Sequence, residues 1–268
     1  MVQFRQFSVD AFASEVFKGN QAAVCAVPSW PSDALMQSIA RENNYSETAF
    51  IVKNGEDYGL RWFTPGGEID LCGHATLASG FVVLRLLEPG RQRVVFSTKS
   101  GPLAVTEKEG RYEMDLPAYR LREVPVTDAM TAAIGSRPLR AFMARDLVCV
   151  LPTEEDVHRA APAADALLGL AGLLLHITAA GGEYDCVTRS FGPKLGVYED
   201  PVCGSGHCHV VPYWAEATGK TSLRAFQASK RTGELFCRPA GDRLFIAGDA
   251  VLFAETVLHL PPTADIVV

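Results

Sequence analysis

The stretch FTPGGEIDLCGHATLASGFVVL, residues 63–84, returns in outline as FGPKLGVYEDPVCGSGHCHVVPYWA, residues 191–215. Each begins with Phe and a Pro turn, passes an acidic residue, reaches Cys-Gly and continues into an apolar, helix-like segment. The two cysteines, Cys72 and Cys203, are separated by close to half of the 268-residue chain. This offset indicates an internal duplication, so we expect two strand-rich halves, each with one largely buried helix entered through a Cys-Gly turn.

The rest of the chain is dominated by short segments that alternate apolar and polar residues, which is typical of β-strands. Residues 103–116 read as a hairpin that turns at 108–110. Few segments of the sequence are predicted to be helical. The clearest are 32–43, with Ser32 as N-cap, the segment 73–87 after the first Cys-Gly, and a third helix from Gly206 onward.

Composition excludes several classes of protein. The chain is 48% hydrophobic and 21% charged, with a net charge of −6 and no block of Lys or Arg, which argues against a nucleic-acid surface or a polybasic membrane patch. No apolar run approaches the ~20 residues of a membrane-spanning helix, and the first residues do not resemble a signal peptide. Seven cysteines, an odd number without framework spacing, favour free thiols in a reducing cytoplasm.

The repeated Cys-Gly turn has a direct chemical use. A helix N-terminus presents unpaired backbone N–H groups and the positive end of the helix dipole, and Gly allows a ligand to approach the backbone closely. We therefore expect Gly73 and His74 in one half, and Gly204 and Ser205 in the other, to hold a small carboxylate in a cleft between the halves. The alternative is that these glycines only begin helices and bind nothing.

The stretch EDPVCGSGHCHV, residues 199–210, also raises the possibility of a metal site or a disulfide. Cys203 and His207 are spaced to share a helix face, whereas His207 and His209 point in roughly opposite directions. No second pair with zinc spacing occurs, so we expect no metal. A disulfide between Cys203 and Cys208 would lie inside the first helical turn and is not expected in a reducing compartment.

Glu47 is the candidate acid/base. It lies in ENNYSETAFI, between a predicted helix and an apolar strand, where a carboxylate can be drawn into a cleft instead of being left in water. A partly buried Glu is suited to taking up a proton and returning it elsewhere. A surface Glu is the alternative.

Taken together, these motifs resemble the phenazine-biosynthesis isomerase (PhzF-like) family, which is related to diaminopimelate epimerase and proline racemase. The resemblance runs along the whole chain and is carried by residues 9–24, 43–50, 60–79, 199–208 and 228–255. It implies an α+β fold of two similar domains, each a β-barrel-like sheet around a central helix, with the active site in the interdomain cleft. We place the first domain at 1–116, completed by a C-terminal strand at 255–268, and the second at 117–254. The resemblance also implies a cytoplasmic, cofactor-free isomerase of a small carboxylate substrate, commonly a homodimer.

The resemblance further assigns roles by position. Glu47 of the SETAF motif corresponds to the proton shuttle. His74, Asp200 and Ser205 correspond to residues that bind substrate and relay or position protons. Gly73 and Gly204 would supply backbone donors to the substrate carboxylate. Moving a proton between carbons of a small amino-acid-like substrate needs such an acid/base, such donors and the exclusion of water.

One position departs from the isomerase pattern and keeps a second mechanism open. Cys203 stands where the isomerase branch usually has Thr, so Cys occupies both helix entrances. In racemase and epimerase relatives, two such thiols flank a substrate carbon, and a helix N-terminus is expected to lower a thiol pKa. A two-thiol racemase or epimerase using Cys72 and Cys203 is therefore the alternative, a small buried filler is the structural interpretation of Cys203, and a non-catalytic carboxylate-binding protein is the third.

Overall fold

The computed structural model of the protein describes residues 2–260. The β-strands are β1 Val2–Ala11, β2 Asn20–Val27, β3 Glu47–Asn54, β4 Asp57–Thr64, β5 Gly67–Ile69, β6 Arg93–Thr98, β7 Gly101–Lys108, β8 Arg111–Pro117, β9 Arg122–Val124, β10 Arg140–Met143, β11 Leu147–Val150, β12 Leu175–Ala180, β13 Cys186–Gly192, β14 Val197–Asp200, β15 Leu223–Gln227, β16 Gly233–Ala240, β17 Arg243–Gly248 and β18 Ala250–Leu260. The α-helices are α1 Asp33–Asn43, α2 Gly73–Phe81, α3 Asp128–Ile134, α4 Glu154–Arg159, α5 Ala164–Leu168 and α6 Gly204–Thr218. A π-helical segment, Val82–Leu87, continues α2, and Pro193–Leu195 forms a 3₁₀ turn.

The chain forms two compact units. The first combines the residues up to Asp115 with those from Ala247 onward, and the second runs from Leu116 to Ile246. The C-terminal strand β18 belongs to the first unit because it pairs antiparallel with β1 along its whole length. Of the C-terminal strand predicted at 255–268, residues 255–260 lie in β18, and 261–268 are outside the described residues.

The two units share one order of strand pairings. In the first unit β1 pairs antiparallel with β2, β2 parallel with β3, β3 antiparallel with β4, β4 antiparallel with β5, β4 parallel with β6, and β6 antiparallel with β7. In the second unit β10 to β16 repeat this order: β10 and β11 antiparallel, β11 and β12 parallel, β12 and β13 antiparallel, β13 and β14 antiparallel, β13 and β15 parallel, β15 and β16 antiparallel. The duplication inferred from the Cys-Gly repeat is therefore present in the topology.

Each unit surrounds one apolar helix with its strands. Every residue of α2 from His74 to Phe81 is buried, and α2 contacts β1, β2, β3, β7 and β18. In the second unit α6 contacts β12, β13, β15 and β16 and buries most of its first two turns. A helix covered by strands needs no continuous polar face, which fits the predominantly apolar sequences of α2 and of the first turns of α6. Gly80 is required in α2 because a Cβ there would overlap the side chain of Val105 on β7.

The local predictions are confirmed in detail. Ser32 caps α1 by accepting from the backbone N–H of Leu35, and β7 and β8 form the hairpin that turns after Lys108. Both central helices begin directly after their cysteine, with Cys72 and Cys203 as N-caps. The third helix starts at Gly204, two residues earlier than predicted. In the described part of the chain no helix is both long and apolar enough to span a membrane.

Candidate active site

The first unit gathers a polar cluster at the start of α2. Asn20 is the first residue of β2, Glu47 the first of β3, and His74 the second of α2. Nδ1 of His74 lies 3.1 Å from Nδ2 of Asn20, and Nε2 of His74 lies 3.0 Å from Oε2 of Glu47. The parallel pairing of β2 with β3 places both strand starts at the same edge of the sheet. The sequence therefore predicted Glu47 and His74 separately, and the fold places them in contact.

Glu47 and His74 are positioned for proton exchange. With the Asn20 amide donating to Nδ1, the neutral His74 ring carries its proton on Nε2, beside Glu47. The side chains of His74 and Glu47 are only 6% and 14% exposed, and the two facing atoms are not aligned for a hydrogen bond to each other or to any other described residue. Each atom therefore has the other as its ion-pair partner but lacks an aligned hydrogen bond, which is rare for buried polar atoms and occurs at catalytic sites.

The charge state of His74 reflects its neighbours. Burial alone lowers the pKa of the imidazole, but the Cys72 thiol and the Glu47 carboxylate outweigh burial and hold the pKa of His74 well above its usual range. A cationic His74 carries hydrogens on both ring nitrogens, so its Nδ1 donates to Asn20 only when the amide presents its oxygen in place of its nitrogen. The site can therefore keep a proton beside the Glu47 carboxylate and present positive charge to an anionic ligand.

The two N-cap thiols do not behave as the helix-dipole argument predicts. Sγ of Cys72 lies 3.5 Å from Nδ1 of His74, yet burial, helped by the Glu47 carboxylate, raises the pKa of Cys72. Burial and the neighbouring Asp200 carboxylate hold the pKa of Cys203 well above its usual range. Both pKa directions run against the lowered thiol pKa expected at a helix N-terminus, because burial of a thiol disfavours the thiolate.

The second unit builds its cluster at the start of α6. Asp200 ends β14, Cys203 caps the helix, and Oγ of Ser205 lies 3.5 Å from Sγ of Cys203. The buried side chain of Gln227 ties this turn together: its Nε2 donates to the carbonyl of Asp200 at 3.1 Å, and its Oε1 accepts from the backbone N–H of Cys203 at 3.5 Å. Gly204 is the first residue of α6, as Gly73 is of α2.

Sequence reasoning missed the polar network behind Ser205. Asp146 is fully buried and accepts from Arg145 through both oxygens, at 3.1 and 2.6 Å. Its Oδ2 also lies 3.1 Å from Nε2 of His176, and the guanidinium of Arg145 donates to Oγ of Ser205 at 3.0 Å. The one available signal was His176 itself, an ionisable residue in the apolar run AGLLLHITAAGG.

The histidines of α6 point inward. Nδ1 of His207 donates to the carbonyl of Cys203 at 2.8 Å, so His207 bonds to the backbone of the residue with which a metal-binding pair was considered. Nδ1 of His209 donates to the carbonyl of Ser205 at 2.9 Å, and its ring stacks on Tyr119 with centroids 3.9 Å apart. Both are fully buried, so packing, and not solvent exposure, is the correct interpretation of His209.

Two groups bring possible metal ligands close together: Glu47, Cys72 and His74 in the first unit, and Asp146, His176 and His209 in the second. Within each group the candidate ligand atoms lie within 4.8 Å of one another. In the second group both oxygens of Asp146 already accept from Arg145, and this guanidinium would repel a further cation. The second group is therefore better suited to holding Arg145 than to holding a metal.

Comparison with known proteins assigns the chain to a family. The family model described as phenazine biosynthesis-like protein matches residues 9–256. The chain belongs to this phenazine biosynthesis-like (PhzF-like) family. An uncharacterised isomerase of Pseudomonas aeruginosa is 44% identical over 260 residues, covering 97% of this chain and all of the relative.

Solved structures agree with this assignment. A crystal structure of a PhzF-family protein from Enterococcus faecalis matches with a TM-score of 0.95 and 46% identity, covering 97% of this chain and all of that one. A hydroxyproline epimerase from Agrobacterium vitis shares the fold at 10% identity, with a TM-score of 0.64 over 99% of this chain and 95% of its own. The predicted α+β, diaminopimelate epimerase-like fold is confirmed, and this member of the PhzF-like family is an isomerase.

Proposed function

We propose that the chain is a cofactor-independent isomerase that moves a proton within a small amino-acid-like carboxylate, with Glu47 as the general acid/base. The observation that carries the proposal is the contact between the Glu47 carboxylate and the almost completely buried His74 imidazole, 3.0 Å apart and without hydrogen-bond alignment. In the reaction, the Glu47 carboxylate takes a proton from one substrate carbon and becomes a carboxylic acid. The carboxylic acid then protonates a second carbon, which regenerates Glu47 without a co-reactant. When the acid hydrogen exchanges with solvent before this transfer, the product carries a solvent hydrogen.

The remaining groups bind the substrate in this proposal. Gly73 and Gly204, each the first residue of a helix of nine or more residues, would donate backbone N–H groups to the substrate carboxylate. Asp200 and Ser205 would bind or relay protons, as the resemblance implies.

A two-thiol racemase or epimerase remains the second candidate because Cys72 and Cys203 occupy equivalent N-cap positions in the two units. The direction of both thiol pKa values, raised by burial, makes it the weaker one, since only the thiolate removes a proton from carbon.

The test follows solvent deuterium into substrate by ¹H NMR, with a panel of free amino acids and dihydroaromatic amino acids. In the first mechanism Glu47→Gln lowers deuterium incorporation by about 100-fold or more, while Cys203→Thr retains most of it. The exposed Glu56→Gln in the same unit is the matched control and should retain wild-type exchange. Full exchange in Glu47→Gln together with loss in Cys72→Ser and Cys203→Ser would establish the thiol mechanism instead.

A further inference from the structure

Arg145 is held on three sides by side chains of its own unit. Its Nε and one terminal nitrogen, Nη2, donate to the two oxygens of Asp146. The same Nη2 donates to Oγ of Ser205 at 3.0 Å. The guanidinium carbon lies 5.4 Å from the ring centroid of Tyr119, within range of a cation–π interaction. A long side chain fixed at so many points loses its conformational freedom on folding and not on binding a ligand.

The support beneath Arg145 is a buried carboxylate. Asp146 is fully buried, accepts at 3.3 Å from the backbone N–H of Leu174, and lies 3.1 Å from the ring of His176. Burial alone would raise the pKa of Asp146, but hydrogen bonds from His176 and Arg145 outweigh burial and hold the pKa well below its usual range. Asp146 is therefore ionised, and it anchors the guanidinium as a bidentate pair of defined geometry.

One nitrogen of the Arg145 guanidinium, Nη1, is available to a ligand. Asp146 and Ser205 engage Nε and Nη2, and the N–H groups of Nη1 donate to no acceptor among residues 2–260. The Arg145 side chain is 34% exposed, so this part of the guanidinium is reachable from solvent. A purely structural ion pair would explain the contact between Asp146 and Arg145. It would not explain why Nη2 of Arg145 also donates to Oγ of Ser205.

We propose that Arg145 binds an anionic carboxylate of the substrate through Nη1, beside Ser205, with Asp146 and His176 as the residues that position it. The proposal rests on the proposed function in taking Ser205 as part of the substrate site. Because Arg145 donates to Oγ of Ser205, the hydroxyl hydrogen of Ser205 points away from Arg145, and it can donate either to Sγ of Cys203, 3.5 Å away, or to the same ligand. The chain has a net charge of −6, and in this proposal Arg145 supplies locally the cation that an anionic substrate needs.

The experiment compares two probes of nearly equal shape, benzoate and the uncharged benzamide, by calorimetric titration of the full chain. We expect the wild type to bind benzoate and Arg145→Gln to bind it at least about tenfold more weakly, with benzamide affinity the same in both. In ¹⁵N–¹H spectra the Nε–H signal of Arg145 is identified as the one that is missing in Arg145→Lys. This signal should shift when benzoate is added to the wild type.

Arg140 supplies the matched control. It also forms a bidentate pair, with Glu123, and lies over an aromatic ring, Phe142, so Arg140→Gln removes an equivalent interaction in the same unit. It should leave benzoate affinity unchanged. If Arg145→Gln does not fold because Asp146 loses its partner, the double variant Arg145→Gln/Asp146→Asn removes both charges, and the same loss is expected.

Equal benzoate affinity in the wild type and the Arg145 variants would overturn the proposal, as would a wild type that binds benzoate no better than benzamide. This readout is independent of turnover. Absence of isotope exchange with a preserved effect at Arg145 would remove the isomerase mechanism and leave the carboxylate-binding residue in place.

Discussion

His207 should make the second unit sensitive to acid, and the structure gives the size of the effect. Its ring is fully buried, Nδ1 donates to the carbonyl of Cys203, and Nε2 has no hydrogen-bond partner in the described part of the chain. Burial lowers the pKa of His207 from 6.5 to about 4, and nearby His176 adds to this, while the bond to the Cys203 carbonyl opposes it. Folded His207 is therefore neutral at pH 5, where an unfolded chain would protonate it.

The difference between the pKa of His207 in the folded and the unfolded chain determines whether acid stabilises or destabilises the protein. The unfolded state binds more protons than the folded state between pH 6.5 and about 4, so the free energy of unfolding falls as the pH falls through that window. From pH 7 to pH 5 the contribution of His207 amounts to a loss of about 2 kcal/mol. His74, whose pKa is raised, acts in the opposite direction, which is why the wild type alone cannot serve as the measurement.

The assay is urea unfolding of the wild type and His207→Asn at pH 7 and pH 5. Asn keeps a donor near the position of Nδ1 and cannot titrate, so it costs stability by an amount that is independent of pH. We expect the stability difference between wild type and variant to shrink, or reverse, by about 2 kcal/mol on going to pH 5. An unchanged difference at the two pH values would refute the assignment of a neutral, buried His207.

Two further outcomes can be checked directly. Gly80→Ala should lower the free energy of unfolding by about 1–3 kcal/mol, since the added methyl overlaps a valine on the neighbouring strand. In the same denaturant titration Gly66→Ala should change it by less than about 0.5 kcal/mol, because a Cβ there would make only an ordinary contact with Oγ1 of Thr64, at 3.5 Å. Cys72 and Cys203 should react far more slowly with iodoacetamide at pH 8 in the folded protein than in urea, as followed by mass spectrometry, because burial raises both pKa values; rapid modification of the native protein would contradict this.

The sequence predicts the helix entrances well because their signal is local. A Cys-Gly turn followed by an apolar run specifies where a buried helix begins, and both α2 and α6 begin there. The contacts of Glu47 are harder to predict from the local sequence. Its contact with His74 depends on the packing of α2 against β3, which no motif in either segment encodes.

The network around Asp146 could not be predicted in the same way. Asp146 immediately precedes β11, and His176 lies on β12, its parallel neighbour. These two residues are 30 positions apart in a part of the chain with no recognisable motif. The thiol pKa values are a different case. The helix-terminus effect can be inferred from sequence position, whereas the burial that raises both pKa values becomes visible only in the folded structure.

The shared topology of the two units has an evolutionary consequence. Two copies of one helix entrance began with the same backbone, yet the side chains around them have since taken different tasks. Around α2 they form a pair that can exchange a proton, Glu47 and His74; around α6 they form a fixed cation, Arg145 on Asp146. With the roles proposed above, duplication leaves each entrance free to specialise, so that a change of substrate could be selected in the second copy without altering the proton chemistry of the first.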